Sequence, residues 1–383
     1  MKTKIKIILL IFLTISTISC VRDVKSLKDK AAGIFVDLDT IKFQPSVEDL
    51  FKQIEIIPLE TTSESIIEYS GSLKYQAYNE KFYVLSPKQN KLIVFDSKGN
   101  FIKSINKTGN GPGEYRMIYD FEISRFDGRL NLMTPYGKVL IYDSDGEKFI
   151  ESFSLPDSIR AVHHFKILNK DTYVFNSDSE NIDLFFYSKS KNEVVSSLST
   201  LPNFLMSTPF NFGPSPFSYY NDSLRYHMGY DGSLYNIDFN DFSLNKRYFL
   251  DFGKHNFILS DLPLNRSALF YWEYSKSIAN KIATGFVGFF ETDNYLITRF
   301  RYKNEFYALF YNKIDDKLQI TFKTKEGVEL MFSFMENDII YGVIPAEFAH
   351  LFVNDKVVSV ENFEKLQKLT SDSNLLMIKY VLK

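Results

Sequence analysis

The sequence predicts an all-β fold, a six-bladed β-propeller of four-stranded antiparallel blades. Three observations carry this. Lys91–Ile105 reads KLIVFDSKGNFIKSI, and 47 residues later Lys138–Phe153 reads KVLIYDSDGEKFIESF, the same pattern with one residue added after the turn. That interval is the length of one propeller blade. The runs between turns are short, rich in Val, Ile, Phe and Tyr, and bounded by Gly, Asn, Asp, Ser or Pro, as half-buried strands require. Aromatic residues reach 16%, with 37 Phe and 24 Tyr against one Trp, and rings of this kind fill the space between packed sheets.

Taken in order, the chain opens with Lys2, Lys4 and Lys6, an apolar run from Ile7 to Ile15, and small or polar residues ending at Ser19-Cys20. Residues 1–19 read as a secretory signal, too short and wrongly flanked for a spanning helix. Cys20 is the sole cysteine, so no intramolecular disulfide can form. Its place directly after the apolar core suits a bacterial lipobox, although Thr17 stands where such boxes carry Leu. Cys20 is therefore the expected lipid attachment point. Residues 20–47 are polar and mixed in charge, and read as a lipidated tether.

The propeller is expected to span 48–383. Blade one takes strands near 72–77, 81–85, 91–95 and 101–105, and blade two near 120–124, 129–133, 138–142 and 149–153. Blade three follows at 162–167, 172–175, 184–187 and 194–198, and blade four at 217–220, 223–227, 233–237 and 245–252. A helical insertion near 260–285 then interrupts the period, because Leu262–Ala283 has apolar residues at helical spacing after Ser260-Asp261. Blade five takes 286–291, 295–300, 305–311 and 318–322. The last blade has runs at 331–335, 338–343 and 375–382, with a helix at 359–369 between them. Ile54–Leu59 (IEIIPLE at 54–60) supplies the missing strand, so both termini close the ring and remove exposed edges. Six blades account for the chain in this way, with five, or seven with one in 200–230, as the alternatives.

With IEIIPLETT at 54–62, FYVLS at 82–86, the first repeat unit and GNGPGEY at 109–115, the chain resembles the six-bladed β-propeller lipoproteins of Gram-negative bacteria, relatives of the NHL-repeat propellers. The resemblance covers nearly all of 48–383 and is thinnest over 200–285. It implies a cell-envelope location, as an outer-membrane lipoprotein, and it carries over no catalytic residue, since the family is largely without assigned function. Val21-Arg22-Asp23 is not the acidic run that suits surface export, so the expected side is the periplasm.

The chemistry-bearing patterns are sparse. The glycines of Gly109–Gly113 suit a phosphate cradle only if Lys-Ser/Thr and a helix follow, and neither does. They read instead as a connector between blades one and two whose loop opens on a face of the ring. Glu114, Tyr115, Arg116 and Asp120 are the candidate ligand-binding residues there, with wedging of Tyr115 between blades as the structural alternative. Asp96 and Asp143 recur at matched positions, as turn-forming Asp residues do. The five histidines (163, 164, 227, 255 and 350) show no metal-ligand spacing, which leaves only a site assembled from several blades. Adjacent His163 and His164 are expected on opposite strand faces. The aromatic runs 211–220 and 269–274 suit either core packing or sugar stacking. No cofactor motif and no catalytic constellation appear. The net charge of −2 and pI near 6.3 give no basic footprint for nucleic acid. Three functional classes follow: a lipid-anchored binding module for a glycan, peptide or protein; a propeller lyase or lactonase with its site in the central channel; and a structural subunit of an envelope complex.

Overall fold

A computed structural model of the chain describes residues 32–39, 44–157, 159, 162–177, 184–198, 215–263 and 266–383, and the side chains of all of these except Ala268 and Trp272. The signal segment, Cys20, most of the tether and residues 211–214 of the first aromatic run lie outside the described residues.

Six antiparallel sheets form a closed β-propeller. Blade one comprises Lys74–Tyr78, Lys81–Ser86, Lys91–Asp96 and Phe101–Ile105, and blade two Asp120–Ile123, Leu130–Met133, Lys138–Tyr142 and Phe149–Ser154. Blade three comprises Val162–Ile167, Thr172–Ser177, Leu184–Ser188 and Glu193–Leu198. Blade four comprises Phe217–Tyr220, Ser223–His227, Ser233–Ile237 and Leu244–Asp251. Blade five comprises Thr284–Glu291, Tyr295–Tyr302, Glu305–Asn312 and Lys317–Thr321. In blade six, Phe334–Glu336, Ile339–Ile344 and Leu376–Leu382 are completed by Phe51–Pro58 on the outside.

Ring closure rests on Phe51–Pro58 pairing antiparallel with Leu376–Leu382, with Ile56 opposite Ile378. The Phe51 ring lies 5.0 Å from Tyr380 in its own blade and 5.6 Å from Phe310 in blade five. The outward edge is covered by the helix Val360–Gln367, whose Asn362 Oδ1 accepts the Ile56 N–H at 3.2 Å. An edge strand with a capped amide and a terminal Pro58 has few groups left to recruit another chain.

The turns have the expected chemistry. Asp96 Oδ1 accepts from the amides of Lys98 and Asn100 at 2.8 and 2.9 Å, and Asp143 Oδ1 from Glu147 at 2.8 Å. Gly99 sits at φ +90°, and a Cβ there would come within 2.3 Å of the Pro58 carbonyl oxygen. The first repeat turn thus presses directly on the closing strand. Six apolar clusters fill the spaces between blades, dominated by Val, Ile, Leu, Phe and Tyr of the middle strands.

The insertion holds the expected helix, and one segment differs from the sequence reading. The helix of the insertion is Ala268–Ile278, and its Phe270, Tyr271 and Tyr274 pack against blade four, while Leu269 is 66% exposed. The segment read as a tether contains a strand, Ala32–Phe35, which adds parallel to the outer edge of blade four, Ala32 opposite Tyr248 and Phe35 opposite Asp251. Beyond it Val36 and Leu38 are buried between blades four and five. Asp39 pairs with Lys254 at 2.6 Å and contacts His255 at 3.3 Å, while Ser46 Oγ donates to Glu326 Oε1 at 2.6 Å. The described parts of this segment, 32–39 and 44–47, strap the rim of blades four to six.

Candidate functional site

The inner strands of blades one to three share one pattern: polar, aromatic, polar, apolar. They read Lys74-Tyr75-Gln76-Ala77, Asp120-Phe121-Glu122-Ile123 and His164-Phe165-Lys166-Ile167. Alternation along a strand puts the two polar positions on one side and the aromatic on the other. In a ring these polar positions are brought together around the axis. Lys74, Gln76, Asp120 and Lys166 line one cavity of about 100 Å³, together with Arg125, Ser218, Tyr219 and Glu336.

One cluster sits where the inner strands begin. Lys74 Nζ donates to Nδ1 of His164 at 2.9 Å, and Asp120 Oδ2 lies 3.8 Å from the same nitrogen. Asp120 also accepts the amides of Phe121 and Phe165, at 2.9 and 3.0 Å. Burial brings the Lys74 ammonium down to about 8, against the pull of Asp120 and with the help of Lys166. Burial, then the Lys74 charge, pushes His164 well below its ordinary value, so its ring is neutral. Burial raises Asp120, with Lys74 and Lys166 opposing. These shifts are what desolvation does to charged groups in a narrow polar channel.

A second cluster sits where the inner strands end. Lys166 donates to Glu122, and the Tyr219 hydroxyl donates to the other Glu122 oxygen at 3.2 Å. The Arg125 guanidinium stacks 3.8 Å from the Tyr219 ring centroid, and its Nη1 donates to the Asn221 carbonyl at 3.4 Å. Burial raises the carboxyls of Glu122 and Glu336, and burial with the nearby Glu122 raises the Tyr219 phenol.

Of the four residues proposed from sequence, Asp120 lines this channel and the other three do not. Tyr115 is 3% exposed in the core between blades one and two, and its oxygen accepts the Lys107 amide at 3.0 Å. Glu114 Oε2 accepts the Gly111 amide at 2.7 Å, so the donor a phosphate would need is taken. Arg116 Nε donates to Asn110 Oδ1 at 2.8 Å within the same loop. The connector leads into an inner strand, whereas Arg125 and Glu336 lie at inner-strand exits, so connector and second cluster occupy opposite faces. The other histidines have separate contacts: His255 meets Asp39, His350 the Glu347 carbonyl, and His227 packs 5.4 Å from Phe289, near enough to His164 to oppose protonation of that ring. Among the described residues no group of three or more His, Cys, Asp or Glu is arranged to hold a metal ion.

The sequence reading passed over Lys74, Glu122, Arg125, Lys166 and Glu336, and weighed His164 only as half of a metal pair and Tyr219 only within the aromatic run 211–220. The signal for the strand residues was the shared inner-strand pattern, visible only when strands from different blades are laid over one another. His164 has a further reason. The register of its strand shifts between Val162 and His164, a bulge at His163 that breaks regular alternation.

A closed six-bladed propeller with a polar axial channel is thus the class of protein that fold and site define. The chain belongs to the DUF4934 family, a domain of unknown function, whose model matches residues 35–380. Among solved structures it is similar to a protein of Bacteroides fragilis NCTC 9343 described as exported, with TM-score 0.67, 16% identity, and coverage of 92% of this chain and 99% of that one. It is also similar to a DUF4221 family member from Bacteroides vulgatus, with TM-score 0.52, 12% identity, and coverage of 87% and 97%. At these identities the likeness establishes the fold. No curated protein matches the chain. Among the described residues no helix is long and apolar enough to cross a membrane.

Proposed function

We propose that this chain is an exported, lipid-anchored cell-envelope propeller that binds a peptide, glycan or protein partner through its axial channel. One observation carries the binding role. Three successive inner strands place charged or polar side chains where apolar ones would pack without desolvation cost, and four of these, Lys74, Gln76, Asp120 and Lys166, line a shared cavity. A cavity of about 100 Å³ is small beside sites that enclose whole ligands. It suits the end group of a larger molecule resting on the propeller face. The anchored location is supported by the signal-like residues 1–19 ending at Cys20, and by the similarity to a propeller described as exported. Lipid on Cys20 would hold the ring at the outer membrane, facing the periplasm.

Binding is tested on arrays of envelope peptides and glycans with the purified mature protein, an Arg125→Ala/Tyr219→Ala variant and a Glu114→Ala/Arg116→Ala variant. Signal lost in the channel variant alone supports the reading. Signal lost only in the connector variant moves the working face to the other side. No signal in wild type, or signal unchanged in both variants, overturns it. Anchoring is tested separately by lipid labelling and fractionation of Cys20→Ser, which is expected to lose the label and either leave the membrane pellet or remain as the unprocessed precursor; unaltered labelling overturns it.

A further inference from the structure

We propose that the channel mouth at Arg125, Tyr219 and Glu336 holds a zwitterionic end group of the α-amino-acid kind, with its carboxylate on Arg125 and its ammonium on Glu336. This deepens the channel-binding reading above and rests on it. The argument is one of charge accounting within a single cavity. Lys166 is engaged by Glu122. Lys74 is engaged by His164, beside Asp120, whose two oxygens accept backbone amides. Two lining charges of opposite sign then remain. Glu336 is half-buried, and its carboxylate makes no hydrogen bond or ion pair among the described residues. Arg125 has no carboxylate within ion-pair distance among them, only the stack on Tyr219 and the Asn221 carbonyl.

Arg125 and Glu336 feel one another, since the Arg125 charge draws the Glu336 carboxyl down against burial, yet they do not pair. The gap between them calls for a bridging group that offers a cation to one and an anion to the other. A guanidinium stacked on a ring keeps its in-plane N–H edges for a carboxylate. A half-buried carboxylate is stabilised by a cation that donates hydrogen bonds to it, as an ammonium does. A neutral saccharide would satisfy neither charge. The small cavity selects a ligand that carries both groups close together, as one amino-acid unit does.

Isothermal titration of the purified mature protein with L-alanine, N-acetyl-L-alanine and L-alaninamide tests this at neutral pH. L-Alanine is expected to bind about tenfold or more tightly than either blocked form, because each charge-assisted contact is worth that much. Glu336→Gln should weaken L-alanine and L-alaninamide and leave N-acetyl-L-alanine unchanged. Arg125→Gln should weaken L-alanine and N-acetyl-L-alanine and leave L-alaninamide unchanged. This crossed pattern, at unaltered melting temperature, is one that a folding defect does not produce. Failure of all three probes to bind wild type, equal binding of the three, or uniform weakening by both variants overturns the proposal. If array binding still depends on the channel while L-alanine does not bind, this inference falls and the channel reading stands.

Discussion

Glu291 Oε2 accepts the Nε–H of Arg225 at 2.8 Å across the seam between blades four and five, with the two side chains 0% and 4% exposed. Arg247 Nη2 donates to Oε1 of the same carboxylate at 2.7 Å, Lys313 Nζ lies at 3.3 Å, and the Tyr248 hydroxyl donates at 3.2 Å. Burial alone would push this carboxyl up, but the Arg247 and Arg225 hydrogen bonds and charges outweigh it and hold it below its ordinary value. Glu291→Gln would leave three cations facing a neutral amide. Loss of one partner from a buried pair costs about 3–5 kcal/mol, and denaturant unfolding at neutral pH should show a loss of that order. The lowered value also sets a pH sign. Stability from Glu291 is full above the unfolded value of about 4.5 and declines as pH falls through the folded one. The wild-type advantage over Glu291→Gln should therefore shrink only below about pH 4.5.

Lys74 carries the opposite sign. Its folded value of about 8 lies below the unfolded 10.5, so the unfolded chain binds more protons between these limits and the fold gains stability as pH rises through them. Below about 8 the cost of holding a buried ammonium is fully present. Stability of wild type relative to Lys74→Met, measured from pH 7 to 10.5, should increase across this window. A flat difference would mean that the ammonium is not desolvated in the channel.

Tyr115 distinguishes architecture from recognition on the connector face. Tyr115→Ala empties an aromatic site between blades one and two and should cost about 3–5 kcal/mol. Tyr115→Phe removes only the acceptor for the Lys107 amide and should cost about 1 kcal/mol. Gly113→Ala should also destabilise, because φ is +75° and the new Cβ would meet Phe149 Cγ at 2.5 Å. Thermal unfolding of the three variants checks the order. Equal stability of Tyr115→Ala and wild type would remove Tyr115 from the core.

Ring closure predicts a contrast between two truncations. A chain beginning at residue 59 lacks Phe51–Pro58 and leaves the Leu376–Leu382 edge open, so light scattering should find association or loss of the folded monomer. A chain beginning at residue 32 keeps strap and closing strand and should remain monomeric, with an unfolding midpoint close to that of a chain beginning at residue 20.

The blades were legible because their signals are local. KLIVFDSKGNFIKSI and KVLIYDSDGEKFIESF carry period-two strands and an Asx turn inside sixteen residues or fewer, and IEIIPLE at 54–60 is apolar enough to demand a partner. The strap was not legible. Ala32–Phe35 is four residues joined in parallel to a strand more than two hundred positions away, so no hairpin turn announces it. The channel was half legible. Asp120 stood out beside the connector, but Lys74 and His164 meet only because ring curvature brings different blades to one axis. The pull of GNGPGEY towards a binding role came from glycines that the fold spends on a tight loop, with Glu114 and Arg116 bonded inside it.

The strap gives the ring a mechanical order. Tension applied from the N-terminal side meets Ala32–Phe35 first, where the load runs along the strand and the parallel bonds to blade four share it in shear. Next in line are Asp39 with Lys254, then Ser46 and Val47 on Glu326. Only after these give way does force reach Phe51–Pro58, the strand that keeps the circle shut. The strap is thus a sacrificial hitch at the rim, and a pull from the N-terminal side would be absorbed at blade four before it could unlatch blade six.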